Sequence, residues 1–452
     1  MYLQLAMLPP VNSDILQEAA EPYTNVELKT AYIPDSFGTH HSKMLILFRH
    51  DDLAQVVIHT ANMIERDWRN MTQAVWRSPL LPLKATTPPA SRSNIRPFRI
   101  GSGERFKVDL LRYLAKYENK LKGLMQQLVD YDFSSIRAAF IGSAPSRQKP
   151  LAVKSAVETS FGWLGLREVL STIPTIPTQD STAFSPPSIV AQISSIATLG
   201  QNSAWLTHFQ SVLSCHDITS NLRASDDTSF FDGPPKSRTK GKSKAPEPTL
   251  NIIFPTAHEI RTSLDGYVSG NSIHTKIQSP AQQKQLEYLR PILCHWKHSD
   301  EAPPIRTRRE AYRGPAAPHI KTYIRFSDAE KTRIDWAMVT SANLSKQAWG
   351  EMENKKGEVW IQSYETGVVV WPALFGEADS TAMVPVFGRD IPTAEDESGG
   401  PGKEGGLKQE TVVGFRMPYD LPLTPYKADE VPWCATLPQI EPDWMGRTWE
   451  GY

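Results

Sequence analysis

The strongest constraint on this chain is a short pattern that occurs twice, far apart. The first copy reads His41-Ser42-Lys43, then an apolar stretch, then Thr60-Ala61-Asn62; the second reads His319-Ile320-Lys321, another such stretch, then Ser341-Ala342-Asn343. Eighteen residues separate Lys43 from Asn62 and twenty-one separate Lys321 from Asn343, and a Trp follows each Asn, at Trp68 and Trp349. Internal self-similarity is a statement about architecture before it is one about chemistry. His-x-Lys alone says little. It also occurs at His274 and His295, where no strand-like stretch and no Thr/Ser-Ala-Asn follows, and a surface position is the simpler reading there.

The spacing has a physical meaning. On an extended chain residues i and i+2 share a face, so His and Lys of one copy project into the same space. Each Asn ends a neighbouring strand-like run, VVIHTAN or WAMVTSAN. Two such halves brought together supply two imidazoles, two ammonium groups and two amides. Lysine and Asn donate hydrogen bonds without adding negative charge, which suits a phosphodiester. One imidazole can attack phosphorus while the other protonates the leaving oxygen. No cluster of acidic residues of the kind a two-metal nuclease uses stands near either copy, so the reading calls for no metal and no cofactor.

Bulk properties agree with an enzyme-sized globular chain. Its 452 residues carry 49 Lys+Arg against 49 Asp+Glu, which excludes binding to nucleic acid by overall charge but leaves room for a local basic groove. Three widely spaced cysteines, Cys215, Cys294 and Cys434, argue against a disulfide framework and fit a reducing compartment. Apolar runs such as Met44–Phe48 stay far below the ~18 residues of a membrane span, and the N-terminus lacks the marks of a signal peptide.

Along the chain, residues 13–22 read as a short helix capped by Ser13, and 105–117 repeat apolar residues at helical spacing. NVELKTAYI (25–33), HSKMLILF, AQVVIHTA and AAFIG (138–142) read as strands. Stretches 172–188, 218–249 and 389–409 are polar and Pro-, Ser- or Gly-rich and read as insertions; the second holds the basic run Lys236 to Lys244, a solvated loop or a nuclear address.

With these residues in view, the chain resembles the tyrosyl-DNA phosphodiesterase family, a branch of the phospholipase D superfamily with Asn in place of the superfamily's Asp. The matching stretches include FGTHHSKM, VVIHTANMIERDW, SSIATLG, RTSLDGY, PHIKTYIRF, VTSANLSKQAWG, SYETGVV and MPYDLP. The resemblance implies an α/β fold of two similar phospholipase D-like domains, each a mixed β-sheet flanked by helices, related by a pseudo-twofold with the active site at their interface. We expect the division at 1–142 and 143–452. It implies that His41 is the nucleophile, forming a phosphohistidine with a DNA 3′ end, and that His319 is the general acid and then base. Lys43, Lys321, Asn62 and Asn343 would surround the transition-state oxygens, with Glu365 supporting the nucleophile and Gln73 the acid. Phe37 matches an aromatic that stacks on a base, and Ser195, Thr198 and Ser272 match groups that contact DNA phosphates, although core packing or loop capping accounts for such residues too. Trp433 would shape the peptide side of the cleft.

The implied partner is a DNA 3′ end, single- or double-stranded, carrying tyrosine or a peptide, such as stalled topoisomerase I leaves. The protein would act as a monomer, without a membrane, in the nucleus with a minor mitochondrial pool. Family members carry a longer folded segment ahead of FGTHH, whereas 36 residues precede Phe37 here. On that ground the first sheet is expected to lack edge strands. Two alternatives stand beside the leading one: a broader phosphodiesterase acting on lipid or other adducts, and an inactive DNA-end binder.

Overall fold

The computed structural model describes residues 13–84, 98–150, 158–175, 186–217, 247–298, 308–393 and 411–452. The basic run at 236–244 and the centres of the three polar insertions lie outside these residues. The strands, in chain order, are β1 (Met44–Phe48), β2 (Leu53–His59), β3 (Val75–Arg77), β4 (Leu81–Pro82), β5 (Ala139–Ser143), β6 (Ser146–Gln148), β7 (Ser188–Gln192), β8 (Thr249–Ile253), β9 (Leu293–His295), β10 (Thr322–Phe326), β11 (Ile334–Thr340), β12 (Val359–Ile361), β13 (Glu365–Val370), β14 (Thr381–Val386), β15 (Thr411–Arg416) and β16 (Thr424–Pro425).

They form two main sheets. The smaller runs β1-β2-β3, with β4 also paired to β2, and β1 pairs on one side only among the described residues. The larger runs β16-β9-β8-β7-β10-β11-β13-β5 and is mixed: β7, β8 and β9 are parallel, the rest antiparallel. Two small pairs, β6 with β12 and β14 with β15, lie outside them.

The sequence repeat is visible as a repeated register. In one half β1 pairs antiparallel with β2 and β2 with β3; in the other β10 pairs with β11 and β11 with β13. Lys43 and Lys321 each stand directly before the first strand of their set, and the Thr/Ser-Ala-Asn triplets directly after the second. The two Trp residues differ in use. Trp349 is fully buried and donates its indole N–H to the Asn343 carbonyl at 3.0 Å, while Trp68 is half exposed.

Local chemistry explains the elements. Leu53–His59 alternates in burial because one face of its sheet packs on the core. Ala139–Ser143, Ser188–Gln192 and Thr322–Phe326 are buried throughout, as befits strands covered on both faces. Tyr323 packs into the main core and its neighbour Ile324 into a second apolar cluster, so the large sheet separates two cores. The helix Gly103–Leu114 is capped by Ser102, whose hydroxyl accepts the Arg105 N–H, and turns Phe106, Leu110, Tyr113 and Leu114 inward. Its first residue must be Gly: a Cβ there would stand 1.6 Å from the Phe133 carbonyl oxygen.

The helix read at 13–22 is found at Ser13–Ala20, and the one read at 105–117 ends at Leu114 and continues as a tighter 3-10 turn. The strand expected at 25–33 does not form, because that segment has no ladder partner among the described residues; it contributes Ala31 and Ile33 to the core from an irregular path. The division expected at 142/143 runs through β5, which pairs with β13 (Glu365↔Ser143 to Val369↔Ala139). All three cysteines are free. No described helix is long and apolar enough to cross a membrane.

Phe106 ties the layers together: its ring lies 5.3 Å from Trp76 of β3 and 5.7 Å from Phe140 of β5. Phe106→Ala removes a fully buried ring from this junction and should cost about 3–5 kcal/mol of unfolding free energy, read from urea titration.

Candidate active site

The halves meet by exchanging backbone as well as side chains. His41 N–H donates to the Tyr364 carbonyl (2.9 Å) and His319 N–H to the Thr72 carbonyl (3.1 Å), so each His segment is pinned by the other half. Inside each half the turn after the second strand is built alike. Thr60 Oγ accepts the Ala74 N–H and donates to Gln73 Oε1 (2.8 Å); Ser341 Oγ accepts the Thr366 N–H and donates to Glu365 Oε2. Gln73 and Glu365 are thus counterparts, and each reaches across to the opposite histidine.

His41 donates Nδ1–H to Glu365 Oε2 at 3.0 Å, which leaves the Nε2 lone pair free for chemistry. Its side chain is 26% exposed, against 3% for His319, so His41 is the accessible imidazole. His319 donates Nδ1–H to Asp67 Oδ2 at 3.0 Å, and its Nε2 accepts from Lys321 Nζ (3.0 Å), with Asn62 Nδ2 at 3.5 Å. Lys43 Nζ donates to the His41 carbonyl, and Lys321 Nζ to that of His319. Asn343 Oδ1 accepts the N–H groups of Ser194 (3.0 Å) and Ser195 (2.9 Å), which fixes the amide and turns its NH₂ the other way.

Asp67 is the residue that sequence reasoning missed. Gln73 Nε2 lies 3.4 Å from His319 Nδ1, but that nitrogen's proton goes to Asp67; Gln73 holds the Asp67 carbonyl instead (3.1 Å). Asp67 is fully buried and also accepts the Asn62 N–H (2.7 Å) and the Ser272 hydroxyl (3.3 Å). It sits on a five-residue helix, Glu65–Arg69, just beyond Asn62. The available signal was its place five residues after the Asn, inside the stretch VVIHTANMIERDW.

The electrostatics follow from burial. Lys43 is pushed down to about 8 by burial, and Lys321 well below its usual value by burial and by Lys43. Burial and then Lys321 bring His319 down to about 3; burial lowers His41 as well, against the pull of Glu365. Burial works against the Asp67 and Glu365 carboxylates, yet the facing imidazole together with the lysines and the other hydrogen-bond donors outweighs it and keeps both ionised, Asp67 at about 2. Neutral imidazoles therefore stand under the field of two buried lysines, with an ionised carboxylate behind each ring.

The remaining candidates divide. Phe37 is 73% exposed ahead of His41, Thr198 is exposed and Ser195 partly so. Ser272 is buried, its hydroxyl between Asp67 and Arg66, where it supports Asp67. Trp433 is fully buried, stacked on Tyr267, and belongs to the core. No group of three or more potential metal-ligating side chains is present among the described residues; the two carboxylates of the site each lie behind an imidazole.

Asp67→Asn should lower the rate of the step that uses His319 by tenfold or more, and Gln73→Ala by less, since the first removes the acceptor of the Nδ1 proton. Single-turnover kinetics separate the two, and equal losses would return the leading role to Gln73. His40 and His59, both held near 4 by burial first, and His319 resist protonation in the fold but not in the unfolded chain. With folded values below the ordinary 6.5, stability is favoured above that pH and lost beneath it. The urea midpoint should fall more steeply between pH 6.5 and 4 than between 8 and 6.5.

Known proteins resemble this chain. The sequence profile described as tyrosyl-DNA phosphodiesterase matches residues 9–427. A probable tyrosyl-DNA phosphodiesterase of Schizosaccharomyces pombe is 31% identical over 94% of this chain and 80% of its own length. Tyrosyl-DNA phosphodiesterase 1 of Drosophila melanogaster is 30% identical over 88% of this chain, which spans 57% of that protein's length. The crystal structure of the yeast tyrosyl-DNA phosphodiesterase superposes with a TM-score of 0.57 at 19% identity, covering 96% of this chain and 84% of that one, and so shares the fold. The chain belongs to the tyrosyl-DNA phosphodiesterase family.

Proposed function

We propose that this protein hydrolyses 3′-phosphotyrosyl and related 3′ adducts on DNA through a phosphohistidine on His41. The observation that carries the reading is the opposed pair: an accessible His41 oriented by Glu365 and a buried His319 oriented by Asp67, with the buried Lys43 and Lys321 each held against its own histidine. A phosphodiester is the kind of anion these donors suit. Its negative charge offsets the two lysines and raises the proton affinity of His319, so the substrate itself helps load the acid.

His41 Nε2 attacks phosphorus; the P–N bond forms as the bond to the tyrosine oxygen breaks, and His319 gives its proton to that oxygen. Then His319 takes a proton from water, the water oxygen attacks phosphorus, and the P–N bond breaks to leave a 3′-phosphate and free His41. Lys43, Lys321 and the two Asn amides stabilise the charge on the equatorial oxygens. Phe37, exposed beside His41, would stack on a base of the DNA, with Ser195 and Thr198 near its phosphates. With that substrate we place its work in the nucleus, as a monomer.

The experiment is cleavage of a 3′-tyrosyl oligonucleotide in excess EDTA by the wild type and by His319→Asn. Turnover should survive chelation, and the variant should accumulate a covalent protein–DNA species, because attack proceeds while release stalls. Loss of activity in EDTA rejects the metal-free chemistry; absence of a trapped adduct rejects the assignment of the two imidazoles. Tight DNA binding without turnover in the wild type would leave a DNA-end binder.

A further inference from the structure

A cavity of about 590 Å³ opens on the segment that leads into His319. Lys297, His298, Arg308 and Arg313 line it, with Tyr312, Glu310 and Asp420. Asp420 is committed to the fold, its oxygens accepting the backbone N–H groups of His298 (3.0 Å) and Ala311 (2.8 Å). Glu310 is exposed at its edge. The Nε2 of His298 and the Nε of Arg313 are buried without a hydrogen-bond partner among the described residues. Buried polar groups left unpaired are costly and rare, and the guanidinium N–H, which can only donate, asks for an acceptor in this cavity. Burial and the neighbouring Arg416 also disfavour the Arg313 charge, which an anion would relieve.

Tyr312 marks the mouth. It is 74% exposed and holds φ at 56°, a left-handed conformation that is rare for an aromatic residue and concentrates at functional positions. Gly388 keeps the place of the ring clear, since a Cβ there would lie 2.8 Å from Tyr312 Cδ2. Lys297 belongs to the His-x-Lys at His295 that sequence alone left on the surface.

We propose that this cavity is a second phosphate site that grips the adducted DNA strand away from its reacting end, with the cations on backbone phosphate and Tyr312 stacked on a base. The proposal rests on the phosphodiesterase reading above. Cations interleaved with an exposed aromatic favour nucleic acid over a phosphorylated protein. Arg313 is six residues from His319, so the two are at most about 20 Å apart. At the ~3.4 Å rise per nucleotide of a DNA strand this reach is about six nucleotides.

The test compares 3′-tyrosyl single strands of about 4 and about 15 nucleotides, on either side of that reach. Wild type should show the lower KM on the longer strand. Lys297→Ala with Arg313→Ala should raise KM on the long strand about tenfold and much less on the short one, and should flatten the salt dependence of KM on the long strand by about 1.4 in log–log slope, ~0.7 for each lost contact. Tyr312→Ala, which carries no charge change, should raise KM on the long strand several-fold and leave that slope alone. Equal effects on both lengths, or none, overturn the site. So does a phosphoserine peptide that binds wild type but not the double variant while both KM values stay put. A wild type inactive on both strands would count against the phosphodiesterase reading instead.

Discussion

Two buried hydrogen bonds, Glu365 to His41 and Asp67 to His319, carry the organisation of this protein because each crosses from one half of the repeat to the other. A carboxylate buried without a partner would be driven to its neutral form, and an imidazole without an acceptor would lose its orientation. Each half therefore holds what the other needs. The backbone bonds from His41 to Tyr364 and from His319 to Thr72 make the same exchange along the main chain. Separating the halves would strand charges on both sides at once, so site integrity and interface integrity are one property.

Around that exchange the site is built on buried charge. Burial disfavours the charge on Lys43 and Lys321, Lys43 adds to that at Lys321, and both lysines disfavour charge on the imidazoles. Positive charge is thus held in a desolvated place at a cost that a phosphodiester removes on arrival. The asymmetry between the halves gives direction to an otherwise symmetric device. His41 is open to the surface and backed by Glu365, whereas His319 is sealed and backed by Asp67. A nucleophile must reach phosphorus; a proton donor must be shielded from bulk water until it is used. The nearly matching turns at Thr60–Gln73 and Ser341–Glu365 show how one local design was kept twice while the group that orients the imidazole came to differ.

Much of this was legible in the chain. The two His-x-Lys copies and their Asn triplets announced a paired site, because extended backbone puts residues two apart on one face and the same set comes twice. The helix at Gly103–Leu114 and the strand at Ala139–Ser143 followed from apolar periodicity and a continuous apolar run. Residues 25–33 misled for the opposite reason: their composition suits a strand, but a strand needs a ladder partner, and propensity cannot supply one.

The sequence by itself determined which side chains could handle a phosphodiester and that they come in two sets, since residue type and spacing are local facts. Only the tertiary structure decided that Asp67, not Gln73, takes the His319 proton, that Ser272 is used to hold Asp67, and that Lys297, Arg308 and Arg313 converge on one cavity. Those outcomes depend on which distant segments come within hydrogen-bonding range and which charges are stripped of water, and distance and solvation exist only once the chain has closed on itself.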